Sequence, residues 1–299
     1  MKKFLKSFFP RLYKFQQECN QRRKEHRLFL QRLVQIKCGS FDIEAPEKHP
    51  LIEILKTQPY RDVCVGIAAK YLSAKYPGAT MVDIGANIGD TAAIIATQAK
   101  NPLVLVEASD YFFNILSRNA ARIPNVRVVK KVLISDGVPV SGTLRHWGGT
   151  ASFQERADAP QPAKTQRLSE VAGDDACFVK IDTDGFDFKI VKGSLDWLRR
   201  VQPGCLFECQ IRDNKELADA GALLEGLEQA GYAGFTVWDD RGLHMVSTTS
   251  LEVLKDLTRY LFKNSAQPER RTVANYDILF LAQKDADVHE NIRDWYKTH

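Results

Sequence analysis

Short runs of apolar and β-branched residues alternate with longer segments of helical spacing from about residue 79 onward. Each run is typical of a buried strand, and each longer segment could supply the crossover helix of a parallel sheet. The runs cover residues 79–85, 103–107, 126–134, 177–182, 204–211, 235–238 and 276–282. They predict an α/β domain with seven strands. Turn residues at 239–242 and a short run at 243–247 favour an antiparallel strand at the end of the sheet.

Two stretches interrupt this alternation. Residues 138–153 alternate Val, Leu and Trp with polar residues around Gly148 and Gly149, which predicts a hairpin or a loop excursion. Residues 154–167 are rich in Pro, Ala and Gln and have no apolar period. Long loops of this kind in compact domains are often binding loops, so we expect this one to close over a ligand.

The start of the chain follows a different pattern. Bulky or apolar residues stand at positions 12, 15, 19, 26, 29, 33 and 36, the three-four spacing of one helix face. We therefore divide the chain into a helical N-terminal arm, residues 1–45, and a domain of residues 46–299 with its core at 78–283. Residues 1–41 hold eleven Lys or Arg against two Glu, a charge of +9, which leaves −4 for the rest of a chain whose total is +5.

The charge of the arm suggests an anionic partner, and its apolar helix face suggests a second copy of the chain. A basic helix with Phe4, Phe8, Phe9, Leu12 and Phe15 could lie on an anionic membrane surface, dock on a partner or self-associate. A helix that simply covers part of the core is the structural alternative.

Membrane-spanning and secreted classes are disfavoured. No run of eighteen or more uncharged apolar residues occurs, so we expect no transmembrane helix. The first ten residues are interrupted by Lys6 and Pro10 and lack a small-residue cleavage site, unlike a secretory signal. The six cysteines include no Cys-x-x-Cys pair, so reduced thiols and a cytoplasmic location are expected.

The first candidate site lies between the first strand of the domain and its helix. Here Gly85 and Gly89 would let a ligand approach the backbone closely, and the helix start would supply free N–H groups. The turn lacks the third glycine of a dinucleotide fingerprint and the Lys-Ser/Thr end of a P-loop. It indicates another kind of nucleotide pocket, or merely close packing of strand on helix. Glu107 ends the next strand about twenty residues later, where a carboxylate can accept ribose hydroxyls.

The second candidate site is an acidic turn. Asp182 and Asp184 follow a strand that contains Lys180, and Glu208 lies within the next strand. Carboxylates so close together could hold a hard cation, or one could act as a general base. Capping of the following helix is the structural alternative for Asp184. His146 is a weaker candidate, because a single histidine in an apolar hairpin is more often structural.

Six segments resemble, in order and spacing, the motifs of the FkbM family of S-adenosylmethionine-dependent methyltransferases. They are Asp83-Ile84-Gly85-Ala86-Asn87-Ile88-Gly89, Val106-Glu107, Lys180-Ile181-Asp182-Thr183-Asp184-Gly185, Val191-Lys192-Gly193, Leu206-Phe207-Glu208 and Tyr276-Asp277-Ile278-Leu279-Phe280. The resemblance spans about residues 78–283 and leaves the arm uncovered. It implies a class I (Rossmann-like) methyltransferase fold, a mostly parallel sheet with strand order 3-2-1-4-5-7-6, S-adenosylmethionine as cofactor, and methylation of oxygen, often on a sugar or polyketide.

The resemblance also implies roles for particular residues. The cofactor-binding set comprises Asp83, Gly85, Asn87 and Gly89 around the methionine part, Glu107 at the ribose, and Ser135 with Asp136 near adenine. The catalytic set comprises Asp182, Asp184, Lys180, Glu208 and His146. Asp182 and Asp184 would be the ligands of a divalent metal, if one takes part. Asp184 and Asp187 stand where the family usually has glutamates.

Three functions follow, in decreasing order of support. The first is a glycan O-methyltransferase that acts on a surface or lipid-linked polysaccharide at the inner membrane face, with the arm as tether. An acidic pocket favours a hydroxyl acceptor, and no Asn/Asp-Pro-Pro-Tyr/Phe motif of amino-methylating DNA enzymes occurs. An RNA methyltransferase is second, but the acidic body and the absence of a nucleic-acid motif make that partner unexpected. A noncatalytic scaffold that retains the fold is third.

Overall fold

The structure, a computed structural model, describes residues 19, 20, 23, 26–130, 132–133, 140–155, 162–163, 165–266 and 272–299. Ser135, Asp136 and the aromatic residues predicted to anchor the arm, Phe4 to Phe15, lie outside these ranges. The strands are β1 Leu33–Cys38, β2 Phe41–Pro46, β3 Thr80–Ile84, β4 Leu103–Glu107, β5 Val126–Lys130, β6 Val132–Leu133, β7 Val140–Trp147, β8 Thr150–Glu155, β9 Pro162–Ala163, β10 Thr165–Gln166, β11 Ala176–Ile181, β12 Gly204–Cys209, β13 Tyr232–Asp239, β14 His244–Thr248 and β15 Tyr276–Ala282.

The helices that follow residue 50 alternate with most of these strands. They are α1 Leu51–Thr57, α2 Val63–Lys75, α3 Asp90–Gln98, α4 Asp110–Ala120, α5 Leu168–Ala172, α6 Asp187–Gly193, α7 Leu195–Val201, α8 Asn214–Gln229, α9 Leu251–Ser265 and α10 Ala286–Thr298. A short 3₁₀ helix, Gln283–Asp285, precedes α10.

The central sheet has the order β14-β13-β15-β12-β11-β3-β4-β5. Neighbours from β12 to β5 are parallel, whereas β15 runs antiparallel to both β12 and β13. The prediction of a mostly parallel sheet is confirmed, but the predicted count of seven strands is wrong. The eighth strand is β14, which pairs antiparallel with β13 after the tight turn that ends at Gly242. It corresponds to the short run at 243–247, so the prediction of an antiparallel strand at the end of the sheet is confirmed.

Burial on both faces explains the apolar strands. Every residue of β4 is buried, as expected for a central parallel strand covered by helices on each side. One core lies on each face of the sheet. On one of them Phe207 and Phe280 stack at 5.2 Å between ring centroids. This two-sided packing fixes the carboxyl ends of β3, β4, β11 and β12 at one edge.

The first interrupting stretch forms an antiparallel hairpin of β7 and β8, so the hairpin prediction is confirmed. It stands outside the central sheet and is joined by the short strand β9. Within the second stretch, β10 pairs with β6, and residues 156–161 and 164 lie outside the described part of the chain.

The prediction of one helix reaching residue 36 is wrong. Residues 26–29 are helical, but Leu33 and Ile36 belong to β1, which pairs with β2. The two-residue turn begins with Gly39 at a φ of 54°, a turn position that favours glycine. Ile43 is fully buried, and the Glu44 N–H donates to Asn119 Oδ1 at 2.7 Å. The proposed boundary after residue 45 therefore falls inside β2, on a hairpin that packs against the domain.

Within the described ranges, no helix combines the length and apolar character needed to cross a membrane. All six cysteines are free thiols, as expected. Burial raises the pKa of Cys38, Cys177 and Cys205 to about 12.

Candidate active site

A cavity of about 330 Å³ opens at the carboxyl ends of β3, β4, β11 and β12. Its wall is formed by the glycine turn after β3, the acidic turn after β11, the β7–β8 hairpin and the segment 49–62. Ligands of open α/β sheets bind at this edge. The cavity therefore lies where the strand pattern places a ligand.

The glycine turn and the acidic turn are in direct backbone contact. The Asp182 N–H donates to the Ile84 carbonyl at 3.0 Å. Gly85 has a φ of 81°, and a Cβ placed there would lie 1.8 Å from the Asp182 carbonyl oxygen. Only glycine permits both this backbone conformation and this approach. The two sequence motifs therefore meet at one point.

Glu107 lines the cavity, and backbone N–H groups fix the position of its carboxylate. Its Oε2 accepts from the Asn87 N–H at 3.0 Å, and its Oε1 accepts from the Ser109 N–H at 2.7 Å. Burial raises the pKa of Glu107 to about 7, although these N–H groups favour the charged form. A carboxylate has about four acceptor positions. Not all of these positions are used, so the carboxylate can still accept from a ligand hydroxyl.

Asp83 supports the site from beneath and does not line the cavity. It is fully buried, accepts from Thr91 Oγ1 at 2.5 Å, and lies 3.5 Å from Lys180 Nζ. The same Nζ lies 3.2 Å from Asp182 Oδ2. Burial acts to lower the pKa of Lys180, but the nearby carboxylates outweigh it and raise that pKa well above its usual value. Lys180 is therefore a fixed cation between two motifs.

Gly89 also stands behind the cavity wall. It caps α3 with a φ of 92°. A Cβ there would lie 3.0 Å from Leu116 Cδ1, so this glycine serves the packing of the turn. Of the predicted cofactor-binding residues, Gly85, Asn87 and Glu107 line the cavity.

Within the acidic turn the carboxylates have different partners. Asp184 has a φ of 54° and accepts a hydrogen bond from the Thr150 hydroxyl of the hairpin. Burial and the charge of Asp182 raise the pKa of Asp184. Asp187 accepts from the N–H groups of Thr183 at 2.9 Å and Gly185 at 3.1 Å. Asp187 thus braces the turn, and Asp184 is left to face the cavity.

A second group of charges surrounds Asp182, and of its members only Glu208 was predicted from the sequence. Burial raises the pKa of Asp62 to about 6 and that of Asp277 to about 7. Burial and the charge of Asp182 raise the pKa of Glu208. The Glu208 carboxylate accepts a hydrogen bond from the Asn275 amide. The Arg61 guanidinium donates to the Asp240 carbonyl at 2.9 Å. An aspartate inside the apolar run of β15 was the available signal for Asp277. Arg61 and Asp62 stand outside every motif.

The hairpin tip is fastened over the glycine turn. The Gly149 carbonyl accepts from Asn87 Nδ2 at 2.9 Å and lies 3.0 Å from His49 Nε2. His49 Nδ1 accepts from the Leu51 N–H at 3.3 Å, so the ring proton is on Nε2 and donates to Gly149. Burial lowers the pKa of His49, which favours this neutral form. The hairpin covers the cavity, the role predicted for residues 154–167.

His146 is not brought to the cavity. Its Nε2 lies 2.8 Å from Ser109 Oγ, and its ring packs 5.4 Å from Phe29 and 6.0 Å from Phe112. Lys180, Asp182, Asp184 and Glu208, in contrast, all line the cavity. His146 therefore joins the hairpin to α4, and the other four predicted catalytic residues form one cluster.

The described residues include no group of three or more His, Cys, Asp or Glu side chains arranged to hold a metal ion. Lys180 already provides the positive charge beside Asp182. The metal-ligand prediction for Asp182 and Asp184 thus gains no support. The carboxylates can instead accept a proton or attract a cationic ligand.

Residues 83–233 match the sequence model of a family described as the methyltransferase FkbM domain. No curated protein matches the chain. Solved structures with similarity include methyltransferase FkbM from Methylobacillus flagellatus KT, at 14% identity, with 68% of this chain and 43% of that chain covered and a TM-score of 0.34.

Two further structures are similar to this chain. The precorrin-6y C5,15-methyltransferase from Geobacter metallireducens GS-15 has 14% identity, coverage of 72% of this chain and 87% of that chain, and a TM-score of 0.37. A SAM-dependent O-methyltransferase from Thermotoga maritima has 11% identity, coverage of 78% and 70%, and a TM-score of 0.39.

Proposed function

The chain belongs to the methyltransferase FkbM domain family, and on that premise we propose that it is an S-adenosylmethionine-dependent O-methyltransferase acting on a sugar hydroxyl of a glycan or lipid-linked polysaccharide. The observation that carries this proposal is the contact between the two turns. The Asp182 N–H and the Ile84 carbonyl join the ligand-binding turn to the acidic turn at 3.0 Å. The cofactor and the reacting hydroxyl of the acceptor would therefore meet in one cavity.

The residues present fit S-adenosylmethionine. Gly85 has no side chain, so a ligand can approach the backbone in the cavity wall. The Glu107 carboxylate can still accept from ribose hydroxyls. The surrounding carboxylates suit a cationic ligand. When bound, this cofactor supplies an electrophilic methyl group on a sulfonium. The adenine role of Ser135 and Asp136 stays a prediction.

The contribution of the chain is positioning and proton acceptance. Asp184 is the base in this proposal, because its pKa is raised by burial and by Asp182 and because it lies in the cavity. Its carboxylate takes the proton as the acceptor O–H bond breaks. Lys180, held by Asp83, keeps Asp182 in place beside it. General-base catalysis typically contributes about 10²–10⁴-fold, and the positioning of both reactants adds to that.

Cofactor affinity is expected to fall at low pH because of Glu107. A carboxyl with a pKa of about 7 is mostly protonated at a pH of about 6, and binding to its charged form then costs a proton. The dissociation constant of S-adenosylhomocysteine should therefore rise as the pH falls below 7, approaching about tenfold per pH unit. Calorimetry from pH 8 to about 6 measures this.

Glu107→Gln tests the assignment. At pH 8 it should weaken binding by about 1.5–3 kcal/mol, the scale of a charge-assisted hydrogen bond, and it should flatten the pH dependence. Glu290→Gln, on the exposed surface of α10, is the matched control and should bind like the parent. If the parent does not bind S-adenosylhomocysteine, the proposed function fails. Normal binding by folded Glu107→Gln would remove only the ribose role.

We propose the anionic membrane surface as the partner of the arm. Near such a surface each basic residue contributes about 1 kcal/mol. The full chain should float with phosphatidylserine-containing vesicles, and it should be released as salt is raised, because screening weakens the attraction. A chain beginning at residue 26, which keeps the β1–β2 hairpin, should not float.

Vesicles of phosphatidylcholine alone are the control for charge. Sedimentation tests the competing idea, since self-association through apolar side chains would persist at high salt. If removal of residues 1–25 changes neither flotation nor the mass of the particle beyond the lost residues, both ideas are wrong.

A further inference from the structure

A second cavity of about 350 Å³ lies beside the first one. We call it the outer cavity. Its lining includes Trp147, Ser152, Gln154, Asp184, Gln210 and Arg212. Asp184 lines both cavities, so a molecule bound in the outer cavity touches the proposed base.

The β7–β8 hairpin contributes to the walls of both cavities, and Phe153 lines both. Side chains alternate between the faces of a strand, and Leu144 pairs with Phe153 while Trp147 pairs with Thr150. Leu144 and Ala151 belong to the wall of the inner cavity. Trp147, Ser152 and Gln154, on the opposite face by this alternation, belong to the outer one. Thr150, which pairs with Trp147, lines the inner cavity, so the two cavities are not fully divided and meet at Phe153 and Asp184.

Polar side chains line the outer cavity beside the tryptophan. Of its polar side chains, Ser152 is buried, Gln210 is partly buried and Gln154 is exposed. Amide side chains both donate and accept, as a ring with several hydroxyls requires. The indole of Trp147 is 45% exposed and offers a flat apolar surface beside them. This combination suits a sugar ring.

The charges around the outer cavity favour a neutral ligand. Arg212 is the one cationic residue in its wall, and its guanidinium is already paired with Glu216 at 2.9 Å. The carboxylate of Asp184, also in the wall, repels anions. A phosphate or carboxylate group therefore has little to bind here, whereas hydroxyl groups can reach several donors and acceptors.

We propose that the outer cavity is the acceptor subsite, where a neutral sugar ring stacks on Trp147, bonds to Gln154 and Gln210, and presents one hydroxyl to Asp184. This inference rests on the proposed function. It adds a recognition surface outside the six motifs of the sequence. Trp147 is thereby a specificity-determining residue, and it does not touch the cofactor cavity.

Saturation-transfer difference NMR tests the subsite on the full chain with S-adenosylhomocysteine added. The probes are the methyl glycosides of glucose, galactose, mannose and rhamnose. At least one should receive saturation on its ring protons from the parent protein. Trp147→Ala should reduce that signal by at least about tenfold, because the surface on which the ring stacks is lost. Gln210→Ala should reduce it as well.

Tyr260→Ala is the matched control, since Tyr260 is an aromatic residue of α9 that is 50% exposed and lines neither cavity. It should keep the full signal. The subsite is wrong if none of the four glycosides is saturated, or if Trp147→Ala retains the parent signal. Calorimetry with S-adenosylhomocysteine on the same samples separates the two levels of failure. Cofactor binding without glycoside binding overturns the subsite alone, and loss of cofactor binding in the parent overturns the proposed function.

Discussion

Asp184→Asn is expected to lower kcat by at least about a hundredfold while leaving S-adenosylmethionine affinity nearly unchanged. Asparagine keeps the shape of the side chain and can still accept from the Thr150 hydroxyl, but it cannot take a proton. It also tolerates the φ of 54° at this position, since asparagine enters the left-handed region more readily than most residues. The backbone of the turn should therefore stay in place.

The pH profile gives a second readout for the same change. Because burial and Asp182 raise the pKa of Asp184, the acid limb of kcat in the parent should lie above that of an ordinary aspartate. This limb should disappear in the variant. Asp256→Asn, on the exposed surface of α9, is the matched control. A variant with parental kcat would show that another group, such as Asp182, accepts the proton.

The parts of the fold that follow strand periodicity were predictable. Buried strands such as β4 read as unbroken apolar runs, and the hairpin of β7 and β8 was visible from the alternation around its two glycines. The family resemblance, now confirmed, rested on motifs at strand ends. Those motifs meet because the carboxyl ends of parallel strands share one edge.

The remainder depended on tertiary contacts. In β1, Leu33 and Ile36 fit a helix face by spacing, but pairing with β2 and the turn at Gly39 give a strand. Spacing of three residues places two side chains on one helix face, yet a two-residue turn can override that preference. The sequence shows apolar positions, and it does not show which neighbour will satisfy their backbone groups.

Several site residues were also beyond the reach of sequence patterns. His49 belongs to the site through the Gly149 carbonyl, a contact between residues one hundred positions apart. Arg61 and Asp62 come to the acidic cluster at the start of α2, from a segment with no motif. Conversely, Asp83 and Gly89 were predicted to touch the cofactor because they belong to the glycine motif. In the structure neither residue lines the cavity, and their contact with the cofactor stays a prediction.

The contact between the two turns can be tested at one atom. Gly85→Ala should lower the free energy of unfolding by more than about 4 kcal/mol, a loss typical of severe overpacking combined with backbone strain. The added Cβ would stand 1.8 Å from the Asp182 carbonyl oxygen, so the backbone of one turn must move. Urea unfolding measures the stability, and calorimetry should show that any folded variant has lost S-adenosylhomocysteine binding.

Gly78→Ala isolates the contribution of contact from that of backbone strain. Gly78 has a φ of 82°, almost equal to the 81° of Gly85, but a Cβ there would meet nothing within 4 Å. It should therefore cost only about 1–2 kcal/mol, the penalty of a left-handed alanine, and keep cofactor binding. The difference in unfolding free energy between the two variants measures the steric overlap with Asp182 alone. Equal losses of stability would mean that the turns do not touch, and the shared cavity on which the proposed chemistry depends would then have no basis.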